Sequence, residues 1–264
     1  MKLLDVSFRS AALGREMSYR VFLPQSVADG HNAEPLPVVY LLHGNGGGFR
    51  DWSNESDVAR YAALGAILVM PEGGASYFLN AVGRPKDRYE DYLTKDLVKD
   101  VAERFPARRD RAGRAVIGVS MGGYAALKVG LSHPEEYGFV GAMSPPVDAP
   151  ERGFSWRRFW QWWNFREILG PMGSEQRRER DVFALVDSVR PEATGFVYLG
   201  AGEREPLLDP VRRFAGRLRR RGFAFVFQVK PGGHDWGEWN RQIPDCFERW
   251  KTIAVPGGIA ASGH

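Results

Sequence analysis

The sequence predicts an α/β protein: a mostly parallel central sheet with helices on both faces and a small inserted helical cap. Three observations carry that expectation. Short continuous apolar runs, among them LPVVYLLHG (36–44), AILVMP (66–71) and AVIGV (115–119), suit strands buried on both faces. Segments with helical spacing lie between such runs from residue 36 onward, the order of parallel strands joined by helical crossovers. The third observation is the passage from apolar run to helix at GVSMG (118–122), where Ser120 stands between two glycines.

Taken in order, MSYRVFL (17–23) alternates enough for a strand, and the Pro-, Gly-, Asn- and Asp-rich residues 24–37 read as a loop. Residues 36–44 form the first buried strand. NESDVARYAALG (54–65) reads as a helix with Ser56 as N-cap and Gly65 as its stop. Residues 66–71 form the second buried strand. YLTKDLVKDVAERFP (92–106) is amphipathic, with Leu93, Leu97, Val101 and Phe105 recurring every fourth residue. Residues 115–119 are the third buried strand, and MGGYAALKVGLSHP continues as helix. GFVGAMSP (138–145), GFVYLGAG (195–202) and FAFVFQVKPG (223–232) supply three more strands. PVRRFAGRLRRRG is the helix between the last two, and DCFERWKTIA closes the chain as another.

The whole of 1–264 reads as one domain. Residues 146–190 interrupt its rhythm, because GFSWRRFWQWWNF holds four tryptophans and three phenylalanines in thirteen residues. We expect a cap or lid insertion over a pocket, with Trp160 and Trp163 lining it, since ligand sites are commonly aromatic. The alternative is an extra helical layer that buries its aromatics on the core.

The composition is that of an ordinary globular protein: 264 residues, 44% hydrophobic and 26% charged, with net charge +4. So mild an excess does not argue for nucleic acid, and RLRRR (217–221) reads as the solvated face of a helix. One cysteine, Cys246, permits no intramolecular disulfide and fits a reducing compartment. Asp5, Arg9, Arg15 and Glu16 break up the N-terminus before any signal-peptide core, and no run of about 18 apolar residues exists. A cytoplasmic location without membrane partners is therefore expected.

GVSMG matches G-x-S-x-G in the strand–turn–helix context that gives the motif meaning. The turn is so sharp that the positions two before and two after Ser120 tolerate no bulky side chain. It would strain Ser120 and lift its hydroxyl above the sheet, beside the positive end of a helix starting at Met121. A serine hydroxyl needs a base, and the base an orienting acid. With the chain order Ser, acid, His, only His234 and the terminal His264 come late enough among His31, His43, His133, His234 and His264. His234 lies in a glycine-rich loop after the last strand and is the choice. LGAGEREPLLDP offers Glu203, Glu205 and Asp209 as acid; Glu205 is preferred, and Asp209 reads as a helix cap followed by Pro210. For the oxyanion, the Met121 amide is one donor, and HGNGGG (43–48) supplies the other: Asn45 first, Gly46 next. His43 itself reads as a loop anchor.

These pieces together resemble the α/β-hydrolase fold and, within it, the esterase family that includes esterase D, tributyrin esterase, feruloyl esterases and the antigen 85 mycolyltransferases. The matching stretches are YLLHGNGGGFRDW, MPEGGASYFLNA, YLTKDLVKDVAERFP, AVIGVSMGGYAALKVGLSHPEEYGFVGAMSP, GEREPLLDPVRRFAGRLRRRG and PGGHDWGEW, in order across roughly residues 17–250. The resemblance implies Ser120 as nucleophile, His234 as base and the Asn45 and Met121 amides as oxyanion donors. Most members carry aspartate where this chain has Glu205. HGNGGG is more glycine-rich than the esterase D loop, and a single-cysteine chain departs from the mycolyltransferases. Trp52, Tyr77, Phe78 and Trp236 fall near the expected mouth, where they form an acyl or aryl pocket or simply pack the loops. The implied activity is a serine carboxylesterase acting on a small-molecule ester without metal or organic cofactor. An acyltransferase and a non-catalytic binding protein are the alternatives, and a homo-oligomer is left open.

Overall fold

The computed structural model describes residues 1–29, 34–154 and 159–254, with the side chains of residues 159–161 left aside. Eight strands form one sheet: β1 Lys2–Ser10, β2 Arg15–Leu23, β3 Val38–Leu42, β4 Ile67–Pro71, β5 Arg114–Val119, β6 Phe139–Met143, β7 Phe196–Gly202 and β8 Phe225–Lys230. Their spatial order is β1-β2-β4-β3-β5-β6-β7-β8. β2 runs antiparallel to both β1 and β4, and every pairing from β4 through β8 is parallel. β3 to β6 are buried along their whole length, which is why they read as unbroken apolar runs.

The longer helices are α1 Leu97–Arg104, α2 Met121–Ser132, α3 Phe159–Leu169, α4 Val182–Ser188, α5 Leu208–Arg221 and α6 Trp236–Ala254. Alternate residues of each central strand point into two cores. Val38, Tyr40 and Leu42 of β3 join Leu97, Tyr124, Val211 and Phe214 on one face. Val39 and Leu41 join Ile243, Cys246, Phe247 and Trp250 of α6 on the other. The parallel strands all end on the same edge of the sheet, where ligands of open α/β sheets bind.

Four readings change. β1, not anticipated, is an edge strand with an exposed Leu3, so its sequence lacks the apolar signature of the interior. The helix expected over 54–65 is two short ones, Asp51–Glu55 and Ala59–Ala62, with Ser56 extended between them instead of capping. α5 begins at Leu208, so Asp209 lies inside its first turn and not at its cap. The closing helix starts nine residues earlier than expected and runs through Pro244. Its start is anchored by Asp235, whose carboxylate accepts from the Glu238 amide at 3.0 Å.

Residues 146–190 contain no sheet strand among the described residues. Phe165, Ile168, Leu169, Val182 and Val186 join the core on the α2 side. Arg177, buried, donates to the carbonyls of Ala149, Pro150, Arg152 and Gly170, tying the two ends of the segment together.

The turn from β5 to α2 places a glycine constraint on the fold. A Cβ on Gly118 would lie 2.2 Å from the Gly122 backbone, and one on Gly122 would lie 2.2 Å from the Leu42 carbonyl oxygen. We predict that Gly122→Ala lowers the unfolding free energy by about 1–3 kcal/mol, since backbone cannot yield as a side chain can. Gly216→Ala, in α5, meets only the Arg220 guanidinium at 3.6 Å; it should stabilise by roughly 0.5–1 kcal/mol. Urea unfolding of both variants checks the contrast.

Candidate active site

Ser120 occupies the first position after β5 and precedes the first turn of α2, with φ 53° and ψ −119°. This is a sparsely populated conformation for a non-glycine residue. The Ser120 amide donates to the Met143 carbonyl at 2.8 Å, which fixes the turn to β6. The side chain is thereby turned towards the carboxyl edge of the sheet.

His234 and Glu205 come from the loops after β8 and β7. Ser120 Oγ lies 2.8 Å from His234 Nε2, and His234 Nδ1 lies 2.8 Å from Glu205 Oε2. With the proton on Nδ1, the imidazole donates to the carboxylate and accepts from the serine hydroxyl. The other Glu205 oxygen accepts from the Gly202 amide at 2.9 Å, and its carboxylate is fully buried while His234 stays accessible. The alternative acids lie elsewhere: Asp209 is exposed and pairs with Arg212, and Glu203 is exposed. His31 and His264 lie outside the described residues.

The loop after β3 runs against Ser120. A Cβ on Gly44 would stand 3.5 Å from that of Ser120. The Gly47 amide closes a turn on the Gly44 carbonyl at 3.2 Å, with Gly46 at φ 82° as glycine permits. Among the described residues, neither the Asn45 nor the Met121 amide is taken by a backbone or side-chain acceptor. Both remain open to an external oxygen, and the α2 dipole adds positive potential at Met121.

His43 anchors this loop. Its Nδ1 donates to the Gly44 carbonyl at 2.8 Å and its Nε2 accepts from the Gly73 amide at 3.0 Å. Glu72 braces the same region, accepting from the amides of Gly74 at 2.8 Å and Phe49 at 3.3 Å. Burial pushes the Glu72 carboxyl up, and the Gly74 and Phe49 amides that donate to it favour its charged form.

The aromatic residues expected at the mouth divide. Trp52 is 1% exposed, and its indole N–H donates to the Leu42 carbonyl at 3.1 Å. Phe78 is fully buried edge-on to His43. Both support loops from beneath, the loop-packing role that was the alternative to a pocket wall. Tyr77 is nearly buried and joins Tyr124 of α2 to Phe165 of α3, with ring centroids at 5.6 and 5.3 Å. Trp236 is half-buried beside Trp52 and Trp239. Trp163 is exposed, with the Arg166 guanidinium over its ring. The Trp160 side chain lies outside the described residues.

Sequence reasoning missed Glu72 and a second buried carboxyl, Glu238. The cue for Glu238 was its place in HDWGEW, three residues after the capping Asp235. Glu238 is fully buried; one oxygen accepts from the Gln242 amide and the other has no partner among the described residues. Its side chain fills the space at Gly202 and Gly232, where a Cβ would come within 3.1 and 2.6 Å of it. Those glycines are the roots of the segments bearing Glu205 and His234. Burial, reinforced by the charges of Glu205 and Asp235, raises the Glu238 carboxyl to about 7 against the bond from Gln242. Among the described residues no group of three or more His, Cys, Asp or Glu side chains is arranged to hold a metal ion. No helix is long and apolar enough to cross a membrane.

A family model described as "Putative esterase" matches residues 10–249. An acetyl esterase of Caldicellulosiruptor saccharolyticus is 25% identical, over 96% of this chain and all of that one. Among solved structures, the fluorophosphonate-binding serine hydrolase FphF of Staphylococcus aureus superposes with a TM-score of 0.82 at 21% identity, covering 96% of this chain and 98% of its own. A ferulic acid esterase gives 0.80 at 24% identity over the same shares.

The raised Glu238 carboxyl has a consequence for stability. Between its ordinary value of 4.5 and about 7 the folded chain keeps a proton that the unfolded chain releases. That contribution to stability is present at low pH and is lost as pH rises across the window. Glu238→Gln removes it, so thermal unfolding at about pH 5 and about pH 8 should favour the variant progressively as pH rises. Parallel curves for the two proteins would contradict the assignment.

Proposed function

This chain belongs to the Putative esterase family, and from the geometry of its site we propose that it is a serine carboxylesterase working through Ser120, His234 and Glu205. The observation that carries the proposal is the unbroken hydrogen-bonded chain from Ser120 Oγ through the imidazole to Glu205, at 2.8 Å for each link.

Ser120 attacks the ester carbonyl, and its proton passes to His234 Nε2. Glu205, accepting from Nδ1–H, holds the tautomer and stabilises the imidazolium. The amides of Asn45 and Met121 receive the negative oxygen of the tetrahedral intermediate. As that intermediate collapses, His234 returns the proton to the departing alcohol, leaving Ser120 acylated. Water then attacks the acyl-enzyme with His234 again as base, releasing the acid and restoring the serine. No step calls for a cofactor. Glutamate in place of aspartate is longer by one methylene, and the Gly202 amide supports the longer arm by fixing its second oxygen.

The substrate class we assign is small acyl or aryl esters. Trp236, packed on the Trp239 ring that meets His234, and Tyr77 at the seam with residues 146–190 are the aromatic surfaces proposed to meet the acyl or aryl group, with that segment as a cap. The names of the similar acetyl and ferulic acid esterases fit this range. A cytoplasmic setting is consistent with the lone cysteine, buried and unpaired.

Ser120→Ala should lower hydrolysis of p-nitrophenyl acetate by roughly 10⁴-fold or more. Glu205→Ala should lower it by about 10³-fold or more, while Asp209→Ala leaves it within about twofold. Steady-state kinetics decide both; a loss confined to the Asp209 variant would reassign the acid. Rates on p-nitrophenyl esters of increasing length beside methyl ferulate rank the acyl and aryl preferences.

A further inference from the structure

Two neighbouring strand ends carry a serine in the same left-handed conformation. Ser120 follows β5 with φ 53°, and Ser144 follows β6 with φ 52°. The strain at Ser120 is accounted for by the sharp turn that presents its hydroxyl. Ser144 is fully buried and presents nothing to solvent. Its amide donates to the Gly200 carbonyl at 2.8 Å, and its hydroxyl oxygen accepts from the indole N–H of Trp239 at 2.9 Å. Strain kept at a buried position needs a reason, and here it aims the Ser144 hydroxyl at that indole.

Trp239 sits in the first turn of α6, 7% exposed. Its ring meets the His234 imidazole nearly at right angles, 84° with centroids 5.2 Å apart, and meets Trp236 at the same distance and angle. The two hydrogen bonds of His234 run from its nitrogens to Ser120 and Glu205. They restrain the imidazole along the line of the two bonds and resist displacement across that line less. Such displacement carries Nε2 away from the serine oxygen and the leaving group. An aromatic ring packed across the imidazole opposes that motion, provided the aromatic is itself held. The bond to Ser144 holds it.

We propose that Trp239, pinned by Ser144, is a positioning residue that holds the His234 imidazole against sideways displacement and so keeps Nε2 in place for proton transfer. Neither residue touches the reacting atoms. The proposal rests on the triad reading above, and Ser120→Ala measured in the same assay reports on that reading separately.

The test is kinetic. Trp239→Phe keeps an aromatic ring and removes the N–H. Ser144→Gly removes the acceptor and suits the left-handed backbone, so it is the variant that folding tolerates best. On p-nitrophenyl acetate each should lower kcat about tenfold with KM within about twofold, because misplacing a proton-transfer group slows chemistry more than binding. The double variant should lose little more than the worse single one, since both break the same link. The apparent acid-limb pKa of kcat/KM should also move, as the environment of the imidazole changes. Unchanged kcat and an unchanged pH profile in Ser144→Gly, or losses that multiply in the double variant, would overturn the proposal even with Ser120→Ala inactive. Where Trp239→Phe lowers thermal stability, the pH profile of Ser144→Gly carries the decision.

Discussion

The molecule depends on how closely β5 can turn into α2. Between Gly118 and Gly122 there is no room for a side chain, because each backbone lies where the other's Cβ would be or against the end of β3. That contact brings the start of a helix, an adjacent strand end and the loop after β3 to one point. The left-handed conformation of Ser120 is the consequence. Strain of this kind costs on the order of 1–3 kcal/mol per residue. The two cores flanking the sheet hold it in place, for the central strands are completely buried and cannot shift to relieve it.

The remaining parts of the site are arranged around that point by the parallel sheet. β5, β7 and β8 end on one edge, so loops of few residues suffice to bring Ser120, Glu205 and His234 together. The loop after β3 is held against Ser120 by His43, and His43 is itself held through Gly73 and Phe78. The aromatic residues Trp52 and Phe78 thus serve the geometry of the loops. Electrostatics divides the two carboxyls near the imidazole. Glu205 has both oxygens satisfied, by the imidazole and an amide, in keeping with a charged carboxylate. Glu238 has one oxygen without a partner and keeps its proton up to about pH 7. The two carboxyls thus sit in opposite environments, Glu205 with donors on both oxygens and Glu238 short of one.

Much of this was legible in the chain. Strands covered on both faces have to be apolar throughout, so β3 to β7 stood out; β1, at the sheet edge with one exposed face, did not. The glycines around Ser120 were readable because they answer a steric demand that is local in sequence. His234 and Glu205 followed from chain order and loop position. What sequence could not supply was direction. Trp52, Phe78 and Trp236 all lie in loop or first-turn segments, and only the packing tells which lie beneath a loop and which against Trp239. α6 begins nine residues before the expected DCFERWKTIA and runs through Pro244, because Asp235 caps the true start and its apolar face packs on the sheet. Glu72 and Ser144 act through partners far away in sequence, Phe49 and Trp239 among them, which no local pattern announces.

The central claim is that the strained serine is the nucleophile. The most direct measurement is the intact and peptide mass of the protein after treatment with a fluorophosphonate. Attack by Ser120 Oγ on phosphorus with loss of fluoride predicts one phosphonyl group per chain, located on Ser120, forming much more slowly in His234→Ala. A label on another residue with Ser120 unmodified, or no label on protein that hydrolyses p-nitrophenyl acetate, would contradict the account.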